Sequence, residues 1–325
     1  MKETGRAEWK GTLILLLAAF VWGTTFVAQS IGADYVGPFT YLASRTWISV
    51  ILLFPVERLL SARAARRELE RAARKAPGHN TEQSLTLRRT PGMRKTTIFA
   101  GAVCGFFLFT ASAAQQAGIA YTTAAKSGFI TALYVVFVPV IYALVYKGVS
   151  PKVWVCMILA VLGLYLLCMK GDLVLGKGDA LTLLCAVLYS FQIMCINRYA
   201  GEVGGVRLTL LQFVVEAILA TVCMLLFESP TAEAVRIAFP SILYAGVLSG
   251  CVGYTLQSVG QEWVNPATAS IAMSFESVFG ALGGWVVLHE ALSARELAGC
   301  VIMFVAIILA QLPVRMPHFL HKPES

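Results

Sequence analysis

The chain has 325 residues, 58% of them hydrophobic and only 14% charged, with a mean hydropathy of +0.72. Soluble globular domains carry about 25% charged residues, so a fold whose main solvent is water is excluded. The net charge of +8 is concentrated in one basic loop without interleaved aromatics, which argues for membrane orientation and against nucleic-acid binding.

In chain order, Lys2, Arg6 and Lys10 precede the apolar run Leu13 to Ala19, as in a secretory signal. The run continues through Phe20, Val21, Trp22 and Phe26 without an A-x-A-like site, so a retained first span is expected. A span needs about 20 mainly apolar residues. Ten stretches meet that condition: Gly11 to Ile31, Pro38 to Val56, Thr97 to Gly118, Thr123 to Tyr146, Lys152 to Met169, Asp179 to Ile196, Val206 to Phe227, Phe239 to Gly260, Pro266 to Leu288 and Leu297 to Leu312. Their short connections, such as Val149-Ser150-Pro151 and Val264-Asn265-Pro266, make neighbouring helices antiparallel. The exception is the loop Glu57 to Lys95, whose Ala-, Leu-, Arg- and Glu-rich first part predicts a helix over Glu57 to Lys75. It fixes topology as a solvated basic loop or lies on anionic headgroups.

With the amino terminus inside, 20 Lys and Arg residues fall on the inner side, 4 on the outer side (Lys170, Lys177, Arg236, Arg295) and 2 within spans (Arg45, Lys126), which accounts for all 26. The excess of positive charge on the cytoplasmic side therefore predicts ten helices with both termini cytoplasmic. The eight cysteines all lie in apolar stretches with no C-x-x-C pair. His79, His289, His318 and His321 sit in loops or tails, so neither a disulfide frame nor a metal or other cofactor is expected.

Internal repetition is the next signal. A shift of 142 residues places Gln115 and Gly118 on Gln257 and Gly260, Tyr121 on Trp263, and the small residues after Thr123 on those after Asn265. Phe109-Thr110 meets Tyr254-Thr255 after a slip of three, and a shift of 167 places Gly11 on Gly178, Trp22 on Tyr189 and Arg45 on Gln212. Each half then holds five spans, residues 11–170 and 178–313, with a cytoplasmic tail over 314–325. Five being odd, the halves run in opposite senses. An inverted repeat of this kind suits a site that opens alternately to each face.

Three segments of the first half resemble the EamA family of the drug/metabolite transporter superfamily. They are Leu17-Ala18-Ala19-Phe20-Val21-Trp22-Gly23 with Phe26, Arg45 in the second span, and Ala117-Gly118-Ile119-Ala120-Tyr121-Thr122-Thr123-Ala124. In the second half, Phe275-Glu276-Ser277-Val278-Phe279 and Leu288-His289-Glu290-Ala291-Leu292-Ser293 resemble its Glu-Pro and Gly-Glu signatures. Ser277 departs from Pro, Lys147-Gly148-Val149 departs from Gly-Glu, and the 57–95 loop is longer than the family's. The resemblance implies a multi-pass transporter of the plasma membrane, with export of a small organic solute as the expected direction. An amino acid, nucleobase, amine or drug-like metabolite would suit.

Ionisable groups inside spans are costly and are functional candidates by default. Here they are Arg45, Lys126, Glu216 and Glu276. Either carboxylate suits a proton or a cationic group, and Glu276 also matches the family motif. Arg45 and Lys126 suit an anion, although Lys126 lies close enough to the span end to snorkel. Trp22, Gln116, Gln212, Gln257, Tyr134 and Tyr254 complete the substrate-binding candidates, with Gln29, Gln115 and Gln192 as further hydrogen-bonding groups. Gly101-x-x-x-Gly105, Gly246-x-x-x-Gly250 and Gly280-x-x-x-Gly284 mark close helix approach in spans three, eight and nine, the expected moving core. Pro139 is the expected kink of span four. Spans five and ten, nearly free of charge, are left at the periphery and able to support a homodimer.

Two other classes were weighed. An intramembrane enzyme lacks support, since the spans hold no H-E-x-x-H, G-x-S-x-G or Asp pair; ATP-driven transport is likewise unsupported, since Gly178 after Gly171-x-x-x-x-Gly176-Lys177 replaces the Ser or Thr of a phosphate loop. A non-transporting receptor would show no solute flux.

Overall fold

The computed structural model describes residues 2–75, 91–122, 124–146, 149–168, 176–288 and 293–312. Most of the loop around residue 80, His289 and Glu290, Lys147 and Gly148, and the tail after 312 lie outside the described residues. Among those described, every regular element is helical. In order these are α1 (Lys2–Ala33), α2 (Pro38–Lys75), α3 (Pro91–Ile119), α4 (Ala124–Ala132), α5 (Tyr134–Tyr146), α6 (Pro151–Cys168), α7 (Lys177–Val203), α8 (Gly205–Phe227) and α9 (Ala232–Tyr244). A π-helical segment (Ala245–Tyr254), α10 (Thr255–Gly260), α11 (Pro266–Met273), α12 (Glu276–Leu288) and α13 (Ala294–Gln311) complete the chain.

Among the described residues, eight helical stretches are long and apolar enough to cross a membrane. Several apolar helices of this length are the mark of a multi-pass membrane protein. Of the ten stretches expected from the sequence, Pro38 to Val56 and Pro266 to Leu288 are not among the eight. The first is the leading half of α2, a 38-residue helix that carries on into the basic segment. The second is split at Ser274 and Phe275 into α11 and α12, of 8 and 13 residues. The helix expected over Glu57 to Lys75 is thus present, as a continuation of span two.

The fourth span is also split, and the split lies at Leu133 rather than Pro139. Leu133 N–H bonds to Ile130 O, a 3₁₀-type contact, at 3.2 Å. Phe275 repeats this with Ala272 O at 3.3 Å. Broken helices are tolerated at membrane depth where the freed backbone groups face protein or a cavity.

Large apolar side chains such as Leu13, Leu17, Phe20, Ile51, Ile98, Ile158, Leu225, Val301 and Phe304 point outward. That is the surface a lipid solvent favours. Inside, helices meet through glycines. A Cβ on Gly178 would lie 2.7 Å from Gly118 O, and one on Gly299 would lie 2.7 Å from Gly163 O, so α3 touches α7 and α6 touches α13 backbone to backbone. Gly11 of α1 meets Gly260 of α10 in the same way.

The small-residue motifs land on defined partners. Gly101 and Gly105 receive Leu211 and Val215 of α8, while Gly246 and Gly250 receive Arg45 O, Ile48 and Ser49 of α2. Gly280 lies against Gly23 of α1. Where lipid is as apolar as the side chains, such close contact is what drives helices together.

Candidate functional site

A cavity lies at the centre of the bundle, walled by α1, α2, α3, α4, α5, α7, the π-helical segment, α10, α11 and α12. Its enclosed volume is about 40 Å³, well below the roughly 300–1,000 Å³ typical of small-molecule sites, so a solute requires the helices around it to move apart. Six of the ten residues expected from sequence line it: Trp22, Arg45, Tyr134, Tyr254, Gln257 and Glu276. Gln29 and Gln115 line it as well.

One basic and one acidic side chain face this space. Arg45 is 7% exposed, and its guanidinium makes no hydrogen bond to another described residue. Its helix is held there by Ser49, whose hydroxyl donates to Arg45 O at 3.1 Å and Gly246 O at 2.7 Å. Glu276 begins α12 just after the break at Phe275, so the interruption delivers the carboxylate into the cavity instead of along a continuous helix face. Tyr134, first residue of α5 after the break at Leu133, donates its hydroxyl to Glu276 Oε1 at 3.2 Å.

The opposite wall is aromatic. Trp22 packs edge-on against Tyr254 with ring centroids 5.0 Å apart, and its indole N–H points to Ser249 O at 3.4 Å. The indole fits because Gly253 has no side chain: a Cβ there would lie 2.5 Å from Trp22 Nε1. π-Helical turns are frequent at functional sites, and the segment Ala245–Tyr254 carries both Ser249 and Tyr254. Tyr254 and Tyr189 hydroxyls are 3.0 Å apart, and Ser112 Oγ lies 3.1 Å from Tyr189.

Four expected residues do not line the cavity. Gln212 is buried behind it, at the end of a chain in which Gln257 Nε2 donates to Gln192 Oε1 at 3.3 Å and Gln192 Nε2 donates to Gln212 Oε1 at 3.2 Å. Gln116 donates to the carbonyl of Gln29 at 3.3 Å. Lys126 pairs with Asp179 at 2.6 Å, and Asp179 also accepts from Thr122 and from Gly176 N–H. A cation so engaged ties α4 to the start of α7. Glu216, 1% exposed, lies behind the cavity wall within electrostatic reach of Arg45.

Tyr189, Thr131, Thr25 and Phe26 line the cavity without having been singled out as binding residues. Tyr189 carried a signal, since the 167-residue shift places it on Trp22. Phe26 carried one too, as part of the first-span motif, whereas Thr131 and Thr25 carried none, because neutral residues in an apolar helix look alike until their neighbours are known.

At the edge of the bundle, outside the spans, two carboxylates brace the helix ends. Burial raises the Glu57 carboxyl, but hydrogen bonds from Ser61 and Arg207 outweigh it and hold the group below its ordinary value. Glu262, in the turn after α10, accepts from Gly205 N–H at 2.5 Å at the start of α8. Burial outweighs that bond and raises its carboxyl.

Comparison with known proteins agrees with this architecture. Residues 9–169 and 176–312 match the model of the EamA-like transporter family. A protein of Archaeoglobus fulgidus described as an uncharacterized transporter is 27% identical over 323 aligned positions, covering 97% of this chain and 91% of the relative. A solved crystal structure superposes with a TM-score of 0.68 at 17% identity, covering 93% of this chain and 96% of that one, and shares the fold. A central cavity in a lipid-facing helical bundle, with family matches over both halves, makes this chain a membrane transporter belonging to the EamA-like transporter family.

Proposed function

We propose that the chain is a secondary transporter that carries a small amphoteric organic solute through the central cavity by alternating access. The observation that carries this reading is that Arg45 and Glu276, opposite charges from different halves, line one cavity beside the aromatic wall of Trp22 and Tyr254. Arg45 suits the anionic end of the solute, Glu276 its cationic or hydrogen-donating end, and the aromatic wall its apolar body.

In this reading α2 and the α11–α12 pair also cross the bilayer, giving ten crossings in two inverted five-span halves, both termini cytoplasmic, in the plasma membrane. The contacts support it. Gly11 meets Gly260 while Gly178 meets Gly118, and the shifts of 167 and 142 exchange these two pairs. Trp22 lies against Tyr254 as Tyr189 lies beside Ser112, again exchanged by the same shifts. Such reciprocal contacts fit a two-fold axis in the membrane plane, about which one half can rock against the other. The direction implied by the family resemblance is export.

The test is flux in proteoliposomes holding the full chain, screened with amino acids, nucleobases, amines and organic acids. Transport of at least one class, lost in both Arg45→Gln and Glu276→Gln at unchanged thermal stability, is the expected result. Flux surviving both substitutions would reject the cavity as the path.

A further inference from the structure

Glu216 is a carboxylate the transport cavity does not use, and its surroundings give it a role. It is 1% exposed, and neither carboxyl oxygen has a hydrogen-bonding partner. A bare carboxylate in hydrocarbon costs several kcal/mol unless it is paired or neutralised. The helices against α8 are α2, α3, α7 and α10. The charged or titratable groups they and the π-helical segment bring toward Glu216 are Arg45 of α2, Tyr254 of the π-helical segment and, one hydrogen bond further, Tyr189 of α7. The Thr46 and Ser112 hydroxyls adjoin the carboxyl. Thr46 is already committed to Leu42 O at 2.7 Å. Ser112 instead belongs to a row of hydroxyls, Tyr254 to Tyr189 to Ser112, whose steps are 3.0 and 3.1 Å. Both tyrosines face the cavity.

We propose that Glu216 is a proton-binding site loaded from the cavity through the hydroxyls of Tyr254, Tyr189 and Ser112, and that it shares the charge of Arg45 with an anionic group of the solute. Each hydroxyl passes its own proton onward and accepts one from its neighbour. The net change is one proton removed from the cavity side and one O–H bond formed on Glu216.

Arg45 is the hinge of the exchange. With the cavity empty, the positive charge of the guanidinium supports Glu216 alone. When an anionic group pairs with the guanidinium, that support is divided and Glu216 takes up a proton. Binding linkage is reciprocal, so the anionic group and the proton each favour binding of the other. The solute half of this inference rests on the transport reading above, whereas the proton site does not.

Infrared difference spectroscopy on the full chain in lipid nanodiscs tests it. The carbonyl band of a protonated carboxyl disappears in Glu216→Gln, shifts in frequency in Glu216→Asp, and grows in Arg45→Gln at fixed neutral pH. Ser112→Ala and Tyr189→Phe leave the band in place but slow its exchange into D2O. Sodium benzoate, whose binding is followed by Trp fluorescence, enlarges the band. A pH titration unchanged by Glu216→Gln, or a band indifferent to Arg45→Gln, overturns the proton site. Benzoate binding without growth of the band overturns the sharing of Arg45. Absence of flux with an intact, Arg45-dependent band would reject the transport reading alone.

Discussion

Tyr134 and Glu276 stand 142 residues apart and are joined by a hydrogen bond of 3.2 Å. The same 142-residue shift places Gln115 on Gln257 and Gly118 on Gly260, and each of the two bonded residues opens a helix directly after a break. The bond therefore joins matching positions of the two halves. Any motion that separates the halves at this level must break it.

This makes Tyr134→Phe informative. Removing the hydroxyl leaves the cavity shape intact and frees one Glu276 oxygen. A neutral hydrogen bond contributes about 1 kcal/mol and one to a charged group about 1.5–3 kcal/mol, so the transport rate changes by about five- to 150-fold. Initial rates in proteoliposomes check this, and an unchanged rate means that the bond is not broken in the cycle.

The Gly118 and Gly178 contact predicts strong intolerance of side chains. A Cβ on Gly178 would lie 2.7 Å from Gly118 O and 2.8 Å from the Tyr121 carbonyl carbon, both backbone atoms that cannot rotate away. Overpacking of this kind costs about 1–3 kcal/mol. Gly178→Val should melt several degrees below the wild type in detergent, whereas Gly201→Val, with nothing near its Cβ position, should lose no stability, because valine is the better helix former of the two.

Lys126 and Asp179 form a partly buried pair, with side-chain exposures of 21% and 3%. Lys126→Met leaves Asp179 with the Thr122 and Gly176 bonds only, and should cost about 1–3 kcal/mol. Adding Asp179→Asn should restore part of the loss, as read by a double-mutant cycle of thermal melts. A flux defect that persists in the restored double variant would assign Lys126 a role in transport beyond bracing.

Glu262 gives a pH dependence of definite sign. Its carboxyl is raised in the folded protein, so the stability it contributes is fully present below the ordinary value of 4.5 and is lost as pH rises through the folded value. Glu262→Gln, whose amide oxygen can still accept from Gly205 N–H, should therefore gain stability over the wild type as pH is raised above that point. Melting curves across the acidic range check it, and a constant difference would exclude the carboxyl as the source.

Glu57 has the opposite sign. Its carboxyl is lowered by Ser61 and Arg207, so its stability is present above the ordinary value and is lost as pH falls through the folded value. Glu57→Gln should flatten the acid limb of the melting profile, by little, because Arg207 is 44% exposed and water screens the pair.

Membrane residence, helical class and the shortlist of intramembrane charges were legible in the sequence, because hydrocarbon is an exacting solvent: it requires long apolar runs and makes every polar exception conspicuous. Family membership was legible from the order of its motifs. Which exceptions share a site was not. Arg45, Glu276 and Trp22 come together only because glycine contacts set which helices touch and two helix breaks re-aim Tyr134 and Glu276. As ionisable groups in apolar runs, Lys126 differed from Arg45 in sequence only by its place near a span end, and Glu216 not at all, yet Asp179 claims the first and the second lies behind the cavity wall. One-dimensional spacing fixes what a helix face carries. Its partner is set by packing between segments more than a hundred residues apart, which only the tertiary structure decides.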